Sequence, residues 1–174
     1  NMDNTLISLD NVKLYASPLP YQRHIEALTK TNPNPLLIPA LLEGKKIEGD
    51  AFIKLFYGPP GTGKTYRLMQ ELLKIVDKKK HKKIVVCAPS NIATINMFYR
   101  AKKLGLACSL MISSTKMPKD LVDNVINNKI IFSTISMRYG FKLRNVEFTT
   151  VIMDEAAQCQ EAWFWGLLRY ELKY

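Results

Sequence analysis

In the stretch Gly58-Pro59-Pro60-Gly61-Thr62-Gly63-Lys64-Thr65, glycines and prolines run directly into a lysine and a threonine. The order fits G-x-x-x-x-G-K-[ST], the pattern of a loop that grips a polyphosphate. The residue types suit that task. Glycine lets several backbone N–H groups turn inward on one anion, where a Cβ would stand in the way. A helix that begins at the end of the loop aims its positive dipole end at the same anion. Lys64 then reaches the β- and γ-phosphates as a flexible cation, and the Thr65 hydroxyl ligates Mg2+. Gly58, Pro59, Pro60, Gly61, Thr62, Gly63, Lys64, Thr65 and Tyr66 are therefore the candidate nucleotide-binding residues. The competing reading is a plain turn between two elements.

Such a site needs a second metal-binding group, and the segment Thr150-Val151-Ile152-Met153-Asp154-Glu155 offers one. A short apolar run reads as a buried strand, and it ends in two acids. Asp154 is the candidate metal carboxylate, with Thr65 as the other metal residue. Glu155 is the candidate for orienting or deprotonating an attacking water. Alone, the segment is a weak signal, because many strands end in acids and the bland reading is a solvated strand end. Its weight comes from the phosphate loop ahead of it.

The elements that must position these groups can be read from periodicity. Ala51 to Tyr57 is an apolar run of strand length ahead of the loop. Behind it Leu68, Met69, Leu72, Leu73 and Val76 recur at helical spacing. Strands are expected over 52–57, 83–88, 107–112, 129–133 and 150–153, and helices over 64–78, 92–104, 118–127 and 159–169. Strands alternating with helices predict an α/β fold, a parallel sheet covered on both faces. The phosphate loop is then expected at the carboxyl end of a central strand, where open α/β sheets bind ligands. Residues 1–50 read differently: Pro18, Pro20, Pro33, Pro35 and Pro39 punctuate them, with short helices expected over 21–30 and 38–43. The division expected is an N-terminal appendage, or the end of an upstream domain, over 1–50 and one α/β domain over 51–174.

Composition bounds the class. The chain has 174 residues, 47% of them hydrophobic, which suits a folded domain with a real core. No apolar stretch approaches the roughly 20 residues of a membrane span, and no signal-peptide pattern opens the chain. Cys87, Cys108 and Cys159 are widely spaced and make neither a zinc pattern nor an even framework, so a reduced, intracellular setting is expected, with all three as buried small apolar residues. The net charge of +10 favours polyanions, nucleic acid first. Much of it sits in the block Lys78-Lys79-Lys80-His81-Lys82-Lys83. That block reads either as a solvated loop or as a nucleic-acid contact, with the loop favoured, and His81 within it is not read as a metal ligand.

One further segment, Val86-Cys87-Ala88-Pro89-Ser90-Asn91-Ile92-Ala93-Thr94, runs from a strand through Pro-Ser-Asn into a helix. Ser90 and Asn91 can cap that helix and present its N–H groups to a phosphate. Taken in order, "GPPGTGKT", "CAPSNIAT", "FSTIS" and "DEAAQ" resemble superfamily 1 RNA/DNA helicases of the Upf-like branch, which includes helicases of some positive-strand RNA viruses. The resemblance covers roughly residues 51–165, and "DEAAQ" at Asp154–Gln158 is its most specific part. It implies a P-loop NTPase with a RecA-like sheet. It implies ATP and Mg2+ at Gly61, Gly63, Lys64 and Thr65, with Lys64, Asp154, Glu155 and Gln158 catalytic and Gln158 coupling the γ-phosphate region to the nucleic-acid side. It implies a single-stranded RNA or DNA backbone at Pro89, Ser90, Asn91 and Thr134, although Thr134 alone reads as a strand-end threonine. The segment "LPYQRHIEAL" is similar to an upstream segment of these helicases in which a glutamine reads adenine, placing Gln22 there. Its gap to the loop is long, Pro20 stands where asparagine is usual, and a surface helix is the equal alternative.

The family pattern continues beyond Tyr174 with a glycine–aspartate–glutamine segment and a second α/β lobe supplying arginines. The expectation is thus a first motor lobe that needs a second one for turnover, binding nucleotide weakly and hydrolysing it poorly by itself. Trp163-Phe164-Trp165 fills the core or packs against that partner. The leading functional expectation is an ATP-dependent helicase or translocase. The alternatives are a P-loop ATPase that remodels a protein partner, and a nucleic-acid-binding module with a dead nucleotide site. The sequence leaves the oligomeric state open.

Overall fold

The computed structural model describes residues 54–118, 121, 127–138, 146–160, 163–164 and 167. Its elements run α1 (Lys64–Val76), β1 (Ile84–Ala88), α2 (Asn91–Lys103), β2 (Cys108–Met111), β3 (Ile130–Thr134), α3 (Ile135–Arg138) and β4 (Thr150–Met153). Two 3-10 turns, Ser114–Lys116 and Ala156–Gln158, lie between or after them. The four strands form one parallel sheet in the order β2-β3-β1-β4. Register fixes which residues share a tip. Ala88 pairs with Thr134, and Cys87 pairs with both Ser133 and Met153.

Alternation along each strand divides the core in two, because successive side chains point to opposite faces. Ile84, Val86 and Ala88 of β1, with Ile130 and Phe132 of β3, pack beneath α1 and α2. Leu68, Met69, Leu72 and Ile75 come down from α1, and Met97, Phe98 and Ala101 from α2. Val85, Cys87 and Ile131 point to the other face, against Ile135, Phe148 and Leu167, with Trp163 packed on their edge. Trp163 is half-buried against this cluster. Phe98 meets Phe132 edge-to-face at 5.9 Å between centroids, locking α2 to the sheet centre.

The expected parallel α/β sheet with helices on both faces is present. Of the strand expected over 52–57, the described part, Lys54–Tyr57, has no strand structure, and the loop follows no strand of the described sheet. Leu55 and Tyr57 are 83% and 92% exposed. An apolar run supplies only a capacity to pair; the outer edge of β4 is open in the described sheet, and this segment does not pair with it. The segment is held instead by side chains. Lys54 Nζ donates to Glu71 Oε2 of α1 at 2.7 Å, and Phe56 packs against the core. That lysine keeps the Glu71 carboxyl below its ordinary range despite opposing desolvation.

Other differences are local. His81, expected in a solvated loop, is 1% exposed and shares a 2.7 Å hydrogen bond with the Thr150 hydroxyl through Nδ1, which plugs the base of the sheet while Lys78, Lys79, Lys80 and Lys82 stay exposed. Cys87 and Cys108 are buried as expected, and burial pushes the Cys108 thiol up to about 11. Cys159 is only partly buried; its thiol donates to the Gln160 carbonyl. Residues 159–160 are not helical. The helices expected over 21–30 and 38–43, most of those over 118–127 and 159–169, and Gln22 lie outside the described residues. Among the described residues no helix is long and apolar enough to cross a membrane.

Candidate nucleotide site at the strand tips

Because the strands are parallel, every βα connection emerges on one edge of the sheet. The phosphate loop reaches the same edge through α1. Gly61 and Gly63 adopt left-handed φ values of +79° and +78°, and a Cβ built on either meets nothing within 4 Å. The conformation therefore demands glycine for the backbone, and the space beside it is open. Gly58 is constrained differently. A Cβ there would lie 2.6 Å from the Thr62 hydroxyl, which donates to the Pro59 carbonyl at 2.7 Å.

The two main helix N-termini on this edge contrast. Ser90 caps α2, its hydroxyl accepting from Ala93 N at 3.1 Å. At α1, Gly63 occupies the cap position; no side chain caps it and no acid lies in its first turn. The N–H groups and positive dipole end of α1 thus have no anionic partner from their own helix. Lys64 Nζ donates to the carbonyls of Gly58 and Pro59 at 2.7 and 2.8 Å, so the cation folds back over the loop.

The central juxtaposition lies across α1 and β4. Thr65 Oγ1 donates to Asp154 Oδ2 at 2.7 Å, joining residues 89 apart in sequence. Asp154 is 7% exposed, its backbone N–H donates to the Cys87 carbonyl at 3.0 Å, and its Oδ1 accepts from Glu155 N at 3.0 Å. Glu155 is the only non-glycine described with positive φ, at 53°. This costly turn swings the chain sharply off β4. It leaves Asp154 at the tip, with exposed Glu155 at the N-cap and exposed Gln158 at the end of the 3-10 turn over Ala156–Gln158.

The donors present fit Mg2+. A hydroxyl and a carboxylate oxygen 2.7 Å apart are hard oxygen ligands. Magnesium favours one or two such protein groups, completed by phosphates and water. No cluster of three or more His, Cys, Asp or Glu residues suited to a metal occurs among the described residues. A cation that depends on phosphate for the rest of its shell needs no such cluster.

The structure thus brings Gly58 through Thr65 together with Asp154 and Glu155. Tyr66 stands on the first turn of α1, 63% exposed. Pro89, Ser90 and Asn91 lie past the tip of β1, on the same edge but on the adjoining connection. Thr134 ends β3 beside Ala88; it is 4% exposed, and its hydroxyl lies 3.3 Å from Ser136 Oγ. The Lys54–Glu71 pair, which ties the entering chain to α1, was not anticipated; an isolated lysine in an apolar run carries no signal of its partner.

Comparison with known proteins agrees with this geometry. A family model described as an AAA domain, AAA_11, matches residues 40–121 and 109–173. Human "RNA helicase Mov10l1" is 29% identical over 127 residues, covering 62% of this chain and 10% of that protein. "DNA polymerase alpha-associated DNA helicase A" of Schizosaccharomyces pombe is 39% identical over 54 residues, 31% of this chain and 8% of the relative. Rat "DNA-binding protein SMUBP-2" is 44% identical over 48 residues, 28% of this chain and 5% of the relative. The chain therefore spans a tenth or less of these relatives. A phosphate loop joined to a strand-tip aspartate on a parallel sheet, with a family match over most of its length, shows that the chain belongs to the AAA domain family AAA_11, where its likeness is to the first lobe of superfamily 1 helicases of the Upf-like branch.

Proposed function

We propose that this chain is the first motor lobe of an ATP-dependent helicase or translocase acting on single-stranded nucleic acid. The observation that carries the reading is the Thr65–Asp154 bond, which sets the phosphate loop and the acidic strand tip side by side. In this reading ATP binds along Gly58–Tyr66, with its phosphates on the amides of Gly61, Gly63 and the start of α1. Thr65 and Asp154 hold Mg2+, which when bound supplies charge neutralisation at the β- and γ-phosphates. Lys64 leaves the loop carbonyls for the phosphates. Glu155, exposed beside Asp154, orients the attacking water and accepts its proton. Gln158, on the same exposed turn, relays the state of that region to the neighbouring connections.

Pro89, Ser90 and Asn91 are assigned to the strand, with Thr134 beside them. The α2 N-terminus behind Ser90 supports this, because its N–H groups and dipole favour phosphate. The Thr134 hydroxyl must turn from Ser136 to take part. Gln22 is retained as the adenine-reading candidate on resemblance alone. The division at residue 50, the second lobe and an intracellular setting belong to the same proposal, the last supported by the free thiol of Cys108.

The test is ATP hydrolysis by the parent protein with and without single-stranded RNA or DNA, alongside Lys64→Ala. Stimulation that the substitution abolishes supports the reading. Hydrolysis indifferent to either nucleic acid would point to a protein-remodelling ATPase and overturn it.

A further inference from the structure

The lysine block lies at the opposite end of the sheet from the nucleotide site. Lys64 begins α1 and Lys78 follows its end; at 1.5 Å per residue the two are about 20 Å apart. Packing fixes the block to the base of the strands. Lys129, directly ahead of β3, donates through Nζ to the carbonyls of Val76 and Lys78, closing the end of α1. His81 is anchored to Thr150 at the start of β4, and Thr149 N donates to the Lys83 carbonyl. The buried imidazole thus pins the middle of the block, so its lysines project from a fixed turn.

The charge there is concentrated and predominantly positive, with exposed Glu147 near the same end, two residues before Thr149. Between residues 74 and 83 there are six lysines and one acid, Asp77. Lys78, Lys79 and Lys82 are exposed and form no salt bridge with the described residues. Lys102 and Lys103, exposed at the end of α2, extend the patch towards β2, where Lys102 stands over the Phe98 ring at 5.8 Å. With strands about 4.8 Å apart, the bases of β2, β3 and β1 span roughly 10 Å. The fields converge: after desolvation, Lys80, Lys129 and Lys78 all push the His81 pKa below its ordinary value.

We infer that this basal face is a second, sequence-independent binding site for the phosphate backbone of duplex nucleic acid. Two features choose the duplex. The block carries no Phe, Tyr or Trp between 74 and 83 and its one imidazole, His81, is buried, so it lacks the stacking platform that single strands use. It is a broad rim of point charges, which suits the dense phosphates of a double helix, one charge per about 1.7 Å of axis. The face sits away from Ser90 and Asn91, so duplex could be held here while a single strand occupies the tips. The inference rests on charge and placement and does not depend on ATP hydrolysis.

The test is binding of a fluorescent random-sequence duplex to this chain across a salt series. Lys78, Lys79, Lys80 and Lys82 are replaced together by Gln in one variant and by Arg in another, with circular dichroism to confirm folding. Each lost phosphate contact lowers the salt slope by about 0.9. The Gln variant should therefore lose about three to four units of slope. Between about 50 and 200 mM salt, its affinity should fall roughly 100-fold less than that of the unmodified chain. The Arg variant should keep the original slope. An unchanged slope in the Gln variant, a loss equal in the Arg variant, or binding of anionic phosphatidylserine vesicles but not duplex would each overturn the inference. Its failure is separable from failure of the motor reading, which is read from ATP turnover.

Discussion

Replacing Thr65 with Val removes the hydroxyl that bridges α1 to Asp154 and little else in volume. The bond is short, at 2.7 Å, and its acceptor is a carboxylate that is 7% exposed. Hydrogen bonds to charged groups contribute about 1.5–3 kcal/mol, and leaving such an acceptor unsatisfied costs about 1–3 kcal/mol. Glu155 N still serves the other oxygen, and water can reach the gap from the loop side, so the lower half applies. The expected loss is about 1–2 kcal/mol, or roughly 2–8 °C in Tm for a chain of this size. Asp154→Ala should cost a comparable amount, and the pair should be non-additive. The assay is thermal and urea unfolding of the two single variants and the double variant without nucleotide or Mg2+. A coupling energy near 1 kcal/mol or above is expected. Additivity within about 0.5 kcal/mol would refute the view that this contact joins the loop to the strand tip.

Gly63→Ala should lower stability by about 1–2 kcal/mol from left-handed strain alone, since its Cβ meets no atom within 4 Å; differential scanning calorimetry measures it. The His81 pKa is lowered, chiefly by burial and then by Lys80, Lys129 and Lys78. The folded state thus holds the ring neutral. Stability is full above the unfolded value of about 6.5 and falls as acid protonates the unfolded chain first. Tm should decline between pH 7 and 5 and the His81→Gln variant should show a shallower decline. Phe98→Ala empties a site that is 1% exposed and packed on Phe132. It should cost about 3–5 kcal/mol, seen as a lower urea midpoint.

Much of the fold was legible because its signals are local. β-branched runs such as Ile84-Val85-Val86 and Ile130-Ile131 read as buried parallel strands, and each found its place to within a residue or two. The Leu and Met spacing over 68–76 gave α1, and Ser90 gave the start of α2. What stayed illegible depends on partners distant in sequence. Lys54–Tyr57 has strand composition, yet it does not pair with the open edge of β4; it is held through the Lys54–Glu71 pair and Phe56, whose partners lie elsewhere in the chain. His81 sits among lysines and reads as solvated; only Thr150, distant in the chain, explains its burial. The left-handed turn at Glu155 could not be read from a glutamate, which seldom adopts it. For the site, the loop and the acids were each visible, but their contact is a property of the folded sheet.

The most direct test of the central claim is titration of this chain with a fluorescent ATP analogue, with and without Mg2+. A magnesium-dependent interaction is expected, weakened at least about 10-fold by Lys64→Ala and by Asp154→Asn, each removing roughly 1.4 kcal/mol or more. Nucleotide binding that ignores the metal and survives both substitutions would contradict a polyphosphate held jointly by the loop and the β4 tip.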